Sequence, residues 1–171
     1  MLDSYYRAFI AEQRYLMYLD GLKMTLLVSL LAIILGVALG TILALMRMTA
    51  ERRGKSTLLS KIAYVYIDII RGTPTVTQLL IMYFVVLKGV DGLIVGTVTF
   101  GLNSAAYVAE IIRAGILAVD HGQMEGGRSL GLSYGQTMKD IILPQAVKNI
   151  LPALGNEFIV LIKETAILGY V

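Results

Sequence analysis

Met24 to Met46, M-T-L-L-V-S-L-L-A-I-I-L-G-V-A-L-G-T-I-L-A-L-M, runs for 23 residues without a charge. As a helix rising about 1.5 Å per residue it reaches roughly 34 Å, enough to cross the hydrocarbon core of a bilayer with some tilt. In hydrocarbon every backbone N–H and C=O must be satisfied inside the protein, so such a segment is helical. A cleavable secretion signal is a poor alternative, because its apolar stretch covers about 7–15 residues close to the N-terminus. Here a mixed polar segment comes first. Composition agrees: 57% of the chain is hydrophobic and 16% charged, against about 45–50% and about 25% in soluble domains. With no cysteine and one histidine, His121, the chain offers no basis for disulfides, metal sites or a Ser–His triad, and nothing calls for a cofactor.

Three further apolar stretches follow. Leu58 to Ile70 reads as an amphipathic helix near the interface, running into a second span around Pro74 to Leu87. A third span covers about Leu93 to Ile112, with Glu110 late in it and Arg113 ending it. A fourth and weaker one covers roughly Ala146 to Ile162, with Glu157 in its middle. No strand alternation stands out, so the expected fold is an all-α integral membrane protein, a helical bundle of four visible spans. Gly36 and Gly40, four apart, permit a close helix–helix contact.

Orientation follows from the basic loops. Arg47, Arg52, Arg53, Lys55 and Lys61 face the single acid Glu51 in one connection, which is placed in the cytoplasm. The N-terminal segment, residues 1–21, then falls outside, and the stretch from Arg113 to Lys148 inside. That basic connection holds Gly54-Lys55-Ser56-Thr57, which looks like the end of a nucleotide-binding loop. Such a loop needs a glycine five residues earlier and a preceding strand. Thr49 stands there instead, at the end of an apolar helix. The reading is a basic turn between helices that binds no nucleotide.

Residues 120–146, D-H-G-Q-M-E-G-G-R-S-L-G-L-S-Y-G-Q-T-M-K-D-I-I-L-P-Q-A, are too long and too organised for a simple link. They read as two short helices. The first holds Glu125 to Leu130 and ends at Gly131, which is free to take the left-handed cap. The second starts at Ser133, whose Ser-x-x-Gln pattern forms a capping box, and runs to Leu143, where Pro144 bends or restarts the chain.

Glu125-Gly126-Gly127, then Gly131, then nine residues and Ile141-Ile142-Leu143-Pro144, resemble the E-A-A-x-x-x-G-x9-I-x-L-P loop (the EAA motif) of permease subunits of bacterial ABC importers. The phrases L-N-S-A-A-Y-V-A-E-I-I-R-A-G-I, I-R-G-T-P-T-V-T-Q-L and L-P-A-L-G-N-E-F-I-V-L-I-K-E-T are similar to the polar amino-acid subfamily, and the resemblance spans about residues 21–171. Gly126 and Gly127 replace the two alanines; both stay small, though glycine costs roughly 1 kcal/mol of helix propensity per site. The resemblance implies a cytoplasmic coupling helix seated on a separate ATP-hydrolysing subunit. Glu125, Gly126, Gly127, Ser129, Gly131, Ile141, Leu143 and Pro144 would form that contact. It also implies a second permease, identical or homologous, an external substrate-binding protein, and residence in the bacterial inner membrane. An amphipathic interfacial segment with no partner is the plainer reading of the loop.

Polar groups inside spans default to functional candidates. Asn103, Tyr107 and Glu110 share one face of the third span, with Ser104 beside it. Asn156 and Glu157 lie in the fourth, and Thr73, Thr77 and Gln78 follow Arg71-Gly72 in the second. Together they could line a substrate pocket near mid-membrane. Of these, Asn156, Glu157, Asn103, Tyr107, Glu110, Thr73 and Gln78 are the candidate substrate contacts. Glu157, if ionised, would favour a cationic amino acid. Each has a plain alternative: Glu110 pairs with Arg113, Asn103 and Ser104 glue helices together, and Glu157 faces Lys163 or a partner's basic group.

The expected function is the permease of an ATP-driven importer for polar amino acids, working by alternating access, with no catalysis of its own and no nucleic acid as partner. An ion-gradient-driven carrier or channel is the alternative. The whole chain reads as one permease domain. Permeases of this kind usually have five spans, so either a last helix is expected beyond Val171 or this subunit is shortened.

Overall fold

The computed structural model describes residues 6–53 and 56–171, and among these the chain is helical throughout, without strands. The basic turn at Gly54-Lys55 lies outside the described residues. Short helical turns at Tyr6–Ile10 and Ala11–Gln13 lead into α1, Tyr15–Arg53. At 39 residues, α1 is about 58 Å long, well beyond what a bilayer core requires. It begins nine residues before the uncharged run, because the exposed Asp20–Lys23 pair sits on helical backbone.

Thr57 starts α2, Leu58–Gly72, through a reciprocal cap: Ser60 N donates to Thr57 Oγ1 at 3.2 Å, and Thr57 N donates to Ser60 Oγ at 3.0 Å. Its buried residues Ser60, Ala63 and Ile67 fall three and four apart, the stripe of an amphipathic helix. The second span is not a straight continuation of it. The chain turns through 105° between α2 and the pair formed by α3, Thr75–Ile81, and the wide turn Met82–Val86. Pro74 supplies the break, being extended itself and disfavouring helix at Thr73 before it.

Asp91 caps α4, Gly92–Leu117, accepting from Leu93 N at 2.9 Å. This is the central helix: α1 packs along it on one side and α7, Leu143–Glu164, on another. Gly36 and Gly40 make the α1 contact possible, since a Cβ on Gly40 would lie 2.8 Å from the Ala105 carbonyl oxygen. α1 runs parallel to α4, with Gly36 facing Ser104 and Gly40 facing Val108, whereas α7 runs antiparallel to it, with Ile150 against Gly115 and Leu161 packed with Val95 and Phe100.

Among the described residues two helices, Tyr15–Thr49 and Gly92–Leu117, are long and apolar enough to cross a membrane, and the bent α2–α3 pair gives a third span if counted as one. The fourth expected span, α7, has 22 residues and would reach about 33 Å. It carries Lys148, Glu157, Lys163 and Glu164, and holds Pro152 in its interior.

Side chains sort into levels along α4. Val95 and Phe100 pack with Val28, Leu79 and Leu161 near one end. Ala106 and Ala109 pack with Ala44 and Ile67 further along. Between them lie the buried polar residues Asn103, Ser104 and Glu157. Val119, Ile142, Ala146 and Ile150 close the end that carries the remaining helices.

Candidate functional site

The segment 120–146 folds as two short helices standing at one end of the bundle. Asp120 caps α5, His121–Ser129, accepting from Gly122 N at 2.7 Å. The helix thus begins four residues before Glu125, where the expectation put its start. It ends as expected: Gly131 has φ +84°, Leu132 N donates to Gly127 O at 3.2 Å and Gly131 N to Arg128 O at 3.1 Å. Those two bonds make a Schellman cap, which needs a residue comfortable in the left-handed region. Ser133 and Gln136 form the capping box of α6, Tyr134–Thr137. A wide turn at Met138–Ile142 then leads straight into α7, and Leu143 N donates to Met138 O. Pro144 therefore does not bend the chain. It sits in the first turn of α7, where a missing N–H is tolerated.

This corner has two sides. Glu125, Gly126, Ser129 and Gly131 are exposed, and Leu130 is 83% exposed. Glu125 makes no hydrogen bond or ion pair to the described residues, so its charge is available to something else. Gly127 points the other way. A Cβ there would lie 2.5 Å from Thr137 Cγ2, so this glycine lets α5 rest on α6. The two glycines of the loop thus serve different surfaces, which spacing alone does not reveal. Ile141 is half-buried against Val119 and Ile142, while Leu143 and Pro144 are exposed beside it.

The second candidate region is the polar level between the apolar clusters. Asn103 is buried, and its Nδ2 donates to Gln78 Oε1 at 3.1 Å, joining α3 to α4. Gln78 Nε2 in turn donates to Ile70 O at 2.7 Å and to Thr73 Oγ1 at 2.9 Å, tying down the elbow. Against this elbow lies a mostly apolar cavity of about 240 Å³, lined by Ile70, Thr73, Thr77, Gln78, Thr99 and Leu102 among others. Glu157 is buried with its carboxyl group beside the buried hydroxyl of Ser104. Asn156, next in sequence, is exposed.

Two of the candidates on α4 have other partners. Tyr107, 36% exposed, lies under the guanidinium of Arg71 at 5.3 Å from the ring centre. Arg71 stands at the elbow, in the last turn of α2, and is absent from the candidates named from sequence. Its only signal was position, directly before Gly72-Thr73-Pro74. Glu110 accepts from Arg113, as its spacing allowed, and also from Arg47 Nη1 at 2.7 Å across to α1. So Asn103, Gln78 and Thr73 come together, Tyr107 joins Arg71, and Glu110 belongs to an ion-pair cluster.

A bundle of apolar helices with a buried polar level and an exposed helix pair at one end defines a membrane transport subunit. Residues 36–171 match the family described as binding-protein-dependent transport system inner membrane component, and the chain belongs to that family. It is 47% identical over 153 residues to the arginine transport system permease protein ArtQ of Bacillus subtilis, covering 87% of this chain and 68% of that one. The glutamine transport system permease protein GlnP of Escherichia coli is 38% identical over 154 residues, with the same two coverages, 87% and 68%. A crystal structure of an amino acid ABC transporter with histidines superposes with a TM-score of 0.84 at 44% identity, covering 95% of this chain and 75% of that one. The chain is thus an integral membrane permease subunit of the importer class, and the ion-gradient-driven alternative is set aside.

Proposed function

We propose that this chain carries polar amino acids across the bacterial inner membrane by alternating access driven by a separate ATPase. The observation that carries the reading is the α5–α6 corner: two capped helices, rigidly joined to α4 and α7, offering Glu125, Gly126, Ser129 and Leu130 outward. A helix pair fixed to two long helices turns a push from a partner into tilting of the bundle. ATP-driven closure of two ATPases would draw the loops of two permeases together, the second permease being identical or homologous. A binding protein would deliver substrate at the opposite end. The positive-inside rule supports the orientation, with the N-terminus outside and α5–α6 in the cytoplasm.

For substrate, the polar level supplies the groups an amino acid needs. Glu157 offers a carboxylate or carboxyl to an ammonium or guanidinium, and Asn103, Gln78, Thr73 and Asn156 offer amide and hydroxyl partners. Tyr107 and Arg71 present a cation and an aromatic face at the elbow. The relatives named for arginine and glutamine transport support this substrate class. Purified permease is to be reconstituted with its ATPase and binding protein in liposomes, and amino acids screened for stimulated ATP hydrolysis and uptake. Stimulation by one or a few polar amino acids is expected. Uptake that persists with ATP exhausted would contradict the reading.

A further inference from the structure

The densest charge cluster among the described residues lies where α4 leaves the bundle for α5. Glu110 Oε2 accepts from Arg47 Nη1 at 2.7 Å, and Oε1 accepts from Arg113 Nε at 3.0 Å and from its Nη2. Both carboxylate oxygens are thus engaged within the chain. The side chains of Arg47, Glu110 and Arg113 are only 15%, 22% and 23% exposed. Arg47 also lies over the Tyr64 ring of α2, 4.5 Å from its centre. One carboxylate therefore joins the far end of α1 to α4, and through Arg47 reaches α2.

The position of this junction gives it a mechanical meaning. Arg113 is one turn from the end of α4, and α5 begins at His121. Elsewhere along α4 the α1 contact is made by small and apolar groups, with glycines against Ser104, Ala105 and Val108 and Ala44 against Ala106 and Ala109, none of them charged. The ion pair is directional and only partly hydrated, so it resists displacement along the helix axis where apolar contact does not.

We propose that Glu110 is a positioning residue for transport rather than a substrate contact. It clamps α1, and α2 with it, to the part of α4 that receives the motion of α5, so that the three helices move as one body. This rests on the importer reading above, and the test separates the two. In liposomes holding the full transporter, import is measured per ATP hydrolysed for wild type, Glu110→Gln, Arg47→Gln, the double variant and Glu110→Asp. Glu110→Gln is expected to hydrolyse ATP while importing at least tenfold less substrate per ATP, with KM for substrate unchanged. Glu110→Asp should recover most of the loss, and the double variant should be no worse than either single one.

Wild-type import per ATP in Glu110→Gln overturns the proposal, as does a raised KM with unchanged maximal rate, or additive losses in the double variant. Should Glu110→Gln fail to assemble, the chain's lack of cysteine allows a covalent replacement: Arg47→Cys with Glu110→Cys, bridged by a short bis-thiosulfonate reagent. Regained coupling on bridging supports the clamp, and none overturns it. Import by wild type without ATP would instead strike the importer reading.

Discussion

Replacing Gly40 by alanine tests whether α1 and α4 are held by backbone approach. A Cβ at this position would stand 2.8 Å from the Ala105 carbonyl oxygen and 2.8 Å from both Cβ and Cγ1 of Val108. The carbonyl belongs to a buried helix and cannot turn aside, so α1 must retreat by about half an ångström, and overpacking of this kind costs about 1–3 kcal/mol. Alanine also gains about 1 kcal/mol of helix propensity over glycine, which hides part of the cost. Gly21 is the internal control: it lies in the same helix with nothing within 4 Å of its added Cβ. The gain is common to both variants, so their difference isolates the packing term at about 1–3 kcal/mol, a ratio of roughly 5 to 150 in the folded population. The assay is the fraction of detergent-solubilised protein that stays monodisperse after graded heating, read on both variants side by side. Gly40→Ala surviving as well as Gly21→Ala would refute close packing at this crossing.

At the α5–α6 corner, Gly126→Ala meets nothing within 4 Å and should stabilise α5 by up to about 1 kcal/mol. Gly127→Ala should destabilise the corner by about 1–3 kcal/mol through contact with Thr137, a cost that Thr137→Ala in the same chain should remove; hydrogen exchange of residues 121–137 reads both. Ser133→Ala removes the cap of α6 and should cost about 1 kcal/mol, seen as faster exchange at Gln136 and Thr137 while α1 is unaffected. Glu157→Gln should weaken uptake of cationic amino acids by roughly tenfold or more, as expected for loss of a hydrogen bond to a charged group worth about 1.5–3 kcal/mol. Neutral polar substrates should lose little, and equal loss for both classes would remove Glu157 from the substrate's charged end.

The parts legible from sequence are those governed by local chemistry. Charge-free runs, the Ser133 and Gly131 caps of the 120–146 segment and the amphipathic stripe of α2 each depend on neighbours within one or two turns, whereas the Asp120 cap went unread. Helix ends were less legible. Hydropathy marks where lipid touches a helix, not where hydrogen bonding stops, so α1 extends well past Met24 on the Asp20 side. Pro152 inside α7 gave no usable sign of where that helix runs. Pro74 announced a break but not its 105° angle, nor the hydrogen bonds from Gln78 back to Ile70 and Thr73 that span it. The pairings of Arg47 with Glu110, Arg71 with Tyr107 and Asn103 with Gln78 join residues far apart in sequence, and only the packing of helices brings them together.

A site-specific crosslink bears most directly on the central claim that the α5–α6 corner receives force from an ATPase. Because the sequence has no cysteine, Leu130→Cys places a single thiol at a highly exposed point of that corner. In membranes containing the whole transporter, a short thiol-reactive crosslinker should join this position to the ATPase subunit, with a yield that changes between ATP-bound and nucleotide-free states. No crosslink in either state, from a transporter that still imports its amino acid, would contradict it.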